Sequence, residues 1–238
     1  MRAPILGGRL FIQHDMVSTT TWYPRRHGVH GTVRYGAHFA AGIGNCQMWA
    51  AQSCEMGEGQ RMLMPGGHSP MGAALCMAIG ACFSSDKPCV VIEGDGGFQM
   101  NIQEMQTVVR NKLPIKVVVL NNGCLGMLRT FCNSGFAGRL HGAVWGYDVP
   151  DFARVASAYD WGGETISRKC EIDAALERLW EDPSKPYVLD VIIPAETYCA
   201  PRVPFGKSLD TMIPARPGEP MPQPSGFIVV SSAPKPSE

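Results

Sequence analysis

Two short polar segments stand out as places where chemistry could be done: Glu93-Gly94-Asp95-Gly96-Gly97 and Asn121-Asn122-Gly123. A carboxylate and an amide oxygen are hard ligands, suited to Mg2+ or Ca2+. Gly96 and Gly97 let the backbone approach phosphate oxygens closely, and a helix opening at Phe98 would turn its first N–H groups and its dipole toward an anion. The pair suits a divalent cation that holds a diphosphate. Gly, Asp and Asn also build ordinary tight turns, so the setting of the two segments decides between these readings.

That setting is strand, acidic turn, helix, strand, amide turn. Cys89-Val90-Val91-Ile92 precedes the first segment and Ile115-Lys116-Val117-Val118-Val119-Leu120 the second, with a helix expected over 98–111. A right-handed crossover through that helix places the two strands side by side, and in an open parallel sheet ligands bind beyond the carboxyl ends of the strands. Further strands are expected within 32–43, at 61–64 and at 187–193. Helices are expected at 47–56, 71–83, 123–132, 151–159 and 171–180, the last two from apolar residues at helical spacing. The helix at 71–83 is rich in Ala and Met, with Gly72 and Gly80 as small residues that let it lie close to the sheet. Residues 133–149 read as a Gly-rich, aromatic surface loop able to fold over a site, with Arg139, His141 and Trp145 as candidate contacts to an anionic or polar group.

Alternation of strands and helices around Val/Ile/Leu-rich strands argues for an α/β fold: a doubly wound, mostly parallel sheet with helices on both faces. The expected organisation is an irregular segment over 1–30, a binding domain over 31–195 and an extended, Pro-rich tail over 196–238. The chain has 238 residues with 21 basic and 21 acidic side chains. Zero net charge gives no electrostatic case for nucleic acid or an anionic membrane. No apolar run approaches the length of a spanning helix and the N-terminus lacks a signal core, so a cytoplasmic protein is expected. The 9 cysteines form no C-x-x-C pair, which argues against an iron–sulfur or zinc framework.

Residues 94–122 resemble the signature of thiamine diphosphate (ThDP) enzymes, which starts G-D-G and ends N-N. The likeness extends to the catalytic subunits of acetolactate synthases. Gly42-Ile43-Gly44-Asn45-Cys46-Gln47-Met48-Trp49-Ala50-Ala51-Gln52 is similar to their G-V-G-Q-H-Q-M-W-A-A-Q segment. Gly66-Gly67-His68-Ser69-Pro70-Met71-Gly72 resembles S-G-G-L-G-x-M-G, and Leu120-Asn121-Asn122-Gly123-Cys124-Leu125-Gly126-Met127 resembles L-N-N-x-x-L-G-M. The match runs over about 40–195.

The resemblance implies ThDP and Mg2+ as cofactors and a ThDP-binding fold. Asp95, the Asn122 side chain and the Cys124 backbone carbonyl would be the metal ligands. Asn45, Cys46, Gly96 and Gly97 would lie along the diphosphate, with Asn45 and Cys46 standing where Gln and His are usual. Met71 would be the apolar wedge that bends the cofactor, while Ile43 and Ser69 would meet the aminopyrimidine through backbone groups. Gly44, Gly94, Leu125, Gly126 and Met127 complete the expected cofactor contacts. The glutamate that protonates the aminopyrimidine resides in this family on a separate pyrimidine-binding domain. Glu93, Glu104 and Glu164 are candidates by residue type only, so no catalytic acid or base is assigned here.

The implied function is therefore half a site: the diphosphate-binding domain of an acetolactate synthase-like enzyme that decarboxylates a small 2-oxo acid and joins it to another. A pyrimidine-binding domain would come from another chain or from a missing N-terminal part, in a homo- or hetero-oligomer to which helix 71–83 and Trp49 are candidate contacts. Two alternatives stay open: the β-type subunit of a two-chain ThDP-dependent 2-oxo acid decarboxylase, and a non-catalytic remnant module. The β subunit of a 2-oxo acid:ferredoxin oxidoreductase is disfavoured by the absence of clustered cysteines.

Overall fold

The computed structural model describes residues 8–9, 32–33, 36–54, 56–200, 202–203 and 206–212. Most of segment 1–30, and the Pro-rich tail past 212, lie outside the described residues. Strands β1 (Gly8–Arg9) and β2 (Thr32–Val33) form a small antiparallel pair of their own.

The main sheet has six strands, β3 (His38–Ala41), β4 (Met62–Leu63), β5 (Cys89–Gly94), β6 (Ile115–Asn121), β7 (Gly162–Ile166) and β8 (Tyr187–Ile192). Their order is β4-β3-β5-β6-β8-β7, and every pairing is parallel. The central strands read as continuous apolar runs because both faces are covered, which is what parallel sheets require. Helices α1 (Asn45–Ser53) and α7 (Ile172–Leu179) cover one face, where Trp49 and Leu176 pack on Phe39, Ile92, Val118 and Leu189. On the other lie α2 (Ala73–Ser84), α3 (Asp95–Met100), α4 (Met105–Asn111) and α6 (Phe152–Ala158), with Leu75, Phe98, Met105 and Phe152 on Val91, Val117 and Val119. The doubly wound α/β arrangement expected from the sequence is thus present.

Three expectations need correction. The helix over 98–111 is interrupted. α3 ends at Met100, Asn101 leaves the helical backbone, a 3-10 turn follows at Ile102–Glu104, and α4 then begins. The break has a tertiary cause, since the Asn101 side-chain amide donates to the carbonyl of Gly72 at 3.0 Å and holds its backbone out of the helix. Gly80 does not bring α2 close to the sheet: it is exposed with open space beside it, and Ala74, Ala78 and Ala81 make the close approach. Trp49, a candidate partner contact, is instead core, only 6 % exposed.

Strand β7 was not anticipated. Helix α5 (Gly126–Gly135) starts later than expected, runs into the segment read as loop, and has no buried residue.

Candidate functional site

The turns after β3, β5 and β6, together with the loop leading into α2, meet at the carboxyl end of the sheet around a cavity of about 280 Å³. The register of β5 on β6 makes this possible. Pairing runs unbroken from Cys89 opposite Ile115 to Gly94 opposite Leu120, so the acidic and amide turns leave the sheet as neighbours.

Each residue singled out above for a cofactor or metal lines this cavity: Ile43, Gly44, Asn45 and Cys46; Ser69 and Met71; Gly94 to Gly97; Asn122; and Cys124 to Met127. Trp49, Leu120 and Leu128 line it too and were not anticipated. The first two flank the motifs G-I-G-N-C and N-N-G, and that adjacency was the available signal. Arg139, His141 and Trp145 do not reach the cavity wall. His141 and Trp145 stack edge to face on each other, with centroids 4.4 Å apart. From the same loop it is Tyr147 that turns inward, its hydroxyl buried without a hydrogen-bond partner beside Gly96.

Asp95 is 2 % exposed. Its Oδ1 accepts the N–H of Gly96 at 2.9 Å, while Oδ2 is buried with no partner. Burial pushes its carboxyl up to about 6, opposed by N–H groups of Gly96 and then of Gly123 and Cys124 from the adjacent turn. A carboxylate oxygen left bare in a polar turn is costly unless something outside the chain satisfies it. Asn122 Oδ1 accepts the N–H of Cys124 at 3.3 Å. Among the described residues no three His, Cys, Asp or Glu side chains gather as a metal cluster. A cation here would need oxygens from backbone and from its own ligand.

Helices α1, α3 and α5 all begin on the cavity wall, and none of their caps, Gly44, Gly94 and Leu125, supplies a side-chain hydrogen bond. By contrast α6, on the sheet's flank, is capped by Asp151, which accepts the N–H of Arg154 at 3.0 Å. Uncapped helix starts leave N–H donors free for an acceptor, and an anion is the natural one.

Two side chains expected along a diphosphate are turned away. The Cys46 thiol donates to the carbonyls of Gly42 and Ile43 at 3.3 and 3.4 Å, and burial raises it to about 12. The Asn45 amide donates to the carbonyl of Thr197 at 3.3 Å. Cys124 buries its thiol against the carbonyl of Ala195 at 3.8 Å. Ser69 adopts a left-handed backbone (φ 44°) and spends its hydroxyl on the carbonyls of Pro65 and Gly66, leaving its backbone on the cavity side.

No glutamate lines the cavity among the described residues. Glu93 is fully buried behind it, and burial raises its carboxyl to about 7. Glu104 accepts from Thr107, and Glu164 pairs with Arg178 at the sheet edge.

The chain matches the family described as thiamine pyrophosphate enzyme, C-terminal TPP binding domain, over residues 42–191. It belongs to that family. Its ThDP-enzyme relatives include acetolactate synthase 1, chloroplastic, of Oryza sativa subsp. japonica, 35% identical over 184 residues, which are 74% of this chain and 28% of the relative. Acetolactate synthase isozyme 2 large subunit of Escherichia coli (strain K12) is 38% identical over 172 residues, 72% of this chain and 31% of the relative. Acetolactate synthase large subunit of Cyanidium caldarium is 32% identical over 178 residues, 74% of this chain and 30% of the relative. The chain thus spans less than a third of the length of these curated relatives. Among the described residues no helix is long and apolar enough to cross a membrane.

Proposed function

We propose that this chain binds the Mg2+-bridged diphosphate of ThDP as the C-terminal part of an acetolactate synthase-like site, in the cytoplasm, and acts on 2-oxo acids only when a pyrimidine-binding domain completes the cofactor groove. The observation that carries this reading is the partnerless Oδ2 of Asp95 in a cavity ringed by uncapped helix starts. That arrangement suits a cation and an anion bound together.

In this reading Asp95, the Asn122 side-chain oxygen and the Cys124 carbonyl hold the metal. Backbone N–H groups at Asn45, Cys46 and Gly97 hold the diphosphate, and Gly96, whose N–H is taken by Asp95, lies along it without a side chain in the way. Met71, Ile43 and the Ser69 backbone support the rest of the cofactor. When bound, ThDP supplies the electron sink for 2-oxo acid decarboxylation. The chain's own residues position it and keep water from the buried turn. A cavity of about 280 Å³ lies just below the span of whole small-molecule sites, roughly 300–1,000 Å³. That size fits half a groove awaiting its other wall, from another chain or another part of a longer one, in an oligomer.

One observation favours the inert-module alternative: the Asn45 amide and Cys46 thiol are tied off within the protein, so the diphosphate has fewer side-chain donors than the usual Gln and His offer. Calorimetry with Mg2+ and ThDP decides. Binding by the wild type that Asp95→Ala abolishes supports the cofactor site. No heat from either protein, or equal heat from both, overturns it.

A further inference from the structure

Glu93 takes no part in the function just described, yet three segments of the cavity wall converge on its side chain. It is fully buried on β5, one residue before the Gly94–Gly97 turn. Its Oε1 accepts the N–H of Gly72 at 3.2 Å, and the N–H of Ala74 also faces the carboxylate. Those are the first N–H groups of α2, whose cap position is Gly72 and has no side chain to offer. Glu93 is therefore the cap of the helix that precedes its own strand, reaching back to that helix's far end, and the Asn101 amide holds the same glycine by its carbonyl. The carboxylate also leaves no room for a Cβ at Gly97, on the cavity wall, or at Gly42, which adjoins the wall residue Ile43 in the chain. One at Gly97 would stand 2.7 Å from Oε1, and one at Gly42 would collide with the same atom. The residue before α2's cap is Met71, whose Cε lies within 3.2 Å of where a Cβ of Gly96 would be.

We infer that Glu93 is a positioning residue: its carboxylate caps α2 and packs on Gly42, and so fixes Met71 and Ile43 as the wall that receives the part of ThDP beyond the diphosphate. The inference rests on the ThDP reading given above. Loss of a helix cap loosens the first turn, and here the loosened turn carries Met71. The metal and diphosphate end, held by Asp95 and Asn122, draws no hydrogen bond from Glu93. The two ends of the ligand must then respond differently to its removal.

The test is calorimetric titration of the full chain, in Mg2+, with two probes: inorganic pyrophosphate, which reads the diphosphate end alone, and ThDP, which reads both. Glu93→Ala lowers ThDP affinity at least about fivefold and leaves pyrophosphate affinity within about twofold. Glu93→Gln keeps an acceptor oxygen for Gly72 and restores most of the ThDP affinity. Met71→Ala, which leaves the cap intact, reproduces the selective loss, and combining it with Glu93→Ala costs clearly less than the sum of the two, because both act through the Met71 contact. Equal weakening of both probes by Glu93→Ala, no rescue by Gln, or additive losses in the double variant would overturn the inference while leaving the cofactor site standing. Failure of the wild type to bind either probe sinks the cofactor site and this inference together.

Discussion

Asp95 and Asn122 line one wall of one cavity, because β5 and β6 are held in parallel register up to Gly94 opposite Leu120 and each residue follows directly on its strand. Had either strand been antiparallel, the two oxygens would lie at opposite edges of the sheet. The family match over 42–191 covers both turns.

Gly126 opens α5 with the Asn122 amide nitrogen directly above it, where a Cβ would collide, and the Asn45 amide nitrogen 3.0 Å from the same position. Gly126→Ala displaces Asn122 without touching the core, since α5 buries no residue. The expected result is a Tm within a few degrees of wild type and Mg2+-dependent ThDP affinity lowered about tenfold or more. Thermal melts beside calorimetric titrations check it.

Gly96→Ala meets three side-chain ends: Leu125 Cδ2 at 2.6 Å, the Tyr147 hydroxyl at 2.8 Å and Met71 Cε at 3.2 Å. These atoms can shift, so the expected loss of stability is only about 1–2 kcal/mol. Ligand binding should suffer more, because the added methyl enters the cavity wall. Denaturant unfolding without ligand, compared with ThDP titration, separates the two effects.

Stability should depend on pH through Asp190, buried on β8 with Oδ1 partnerless and Oδ2 accepting from Asn121 and Thr165 at 3.4 Å each. Burial raises its carboxyl to about 6 from 3.8. The folded chain thus keeps a proton that the unfolded chain has already released. The contribution of Asp190 to stability, on the order of 3 kcal/mol, is fully present below about pH 4, is lost as pH rises to about 6 and stays lost above it. Asp190→Asn should flatten this fall and be the more stable protein near pH 7, read by urea unfolding at several pH values.

Lys116 gives the opposite sign. It is 1 % exposed at the start of β6, far from the cavity, donating to the carbonyls of Asp182 and Lys185. Burial lowers its ammonium to about 8 from 10.5, opposed by Asp182. The unfolded chain binds this proton more readily, so its contribution makes stability rise between about pH 8 and pH 10.5. Lys116→Met should remove that rise and leave ThDP affinity unchanged.

What the sequence made legible follows from how local each signal is. β5, β6 and β8 announce themselves because a strand buried on both faces is apolar along most of its length, as Val117-Val118-Val119 is. β7 was hidden because it is an edge strand: Gly162 and Gly163 open it, most of it is exposed, and among the described residues it pairs with β8 alone. The interruption after α3 was hidden because its cause is the distant carbonyl of Gly72. At the site, the turn residues were legible as chemistry in themselves. The cap that Glu93 provides to α2, and the inward turn of Tyr147, depend on tertiary approach that no spacing encodes.

The division between sheet and turns has one more consequence. The apolar side chains inside β5, β6 and β8, unlike Glu93, Lys116 and Asp190 beside them, only need to fill volume, so swaps such as Val118→Ile are tolerated for little cost as long as packing is kept. The few positions just past the strand tips have no such latitude, because each is held by an oxygen, a missing Cβ or a helix start. Extensive rewriting of the scaffold's interior could therefore leave ligand specificity intact, while one methyl group at a tip could erase it.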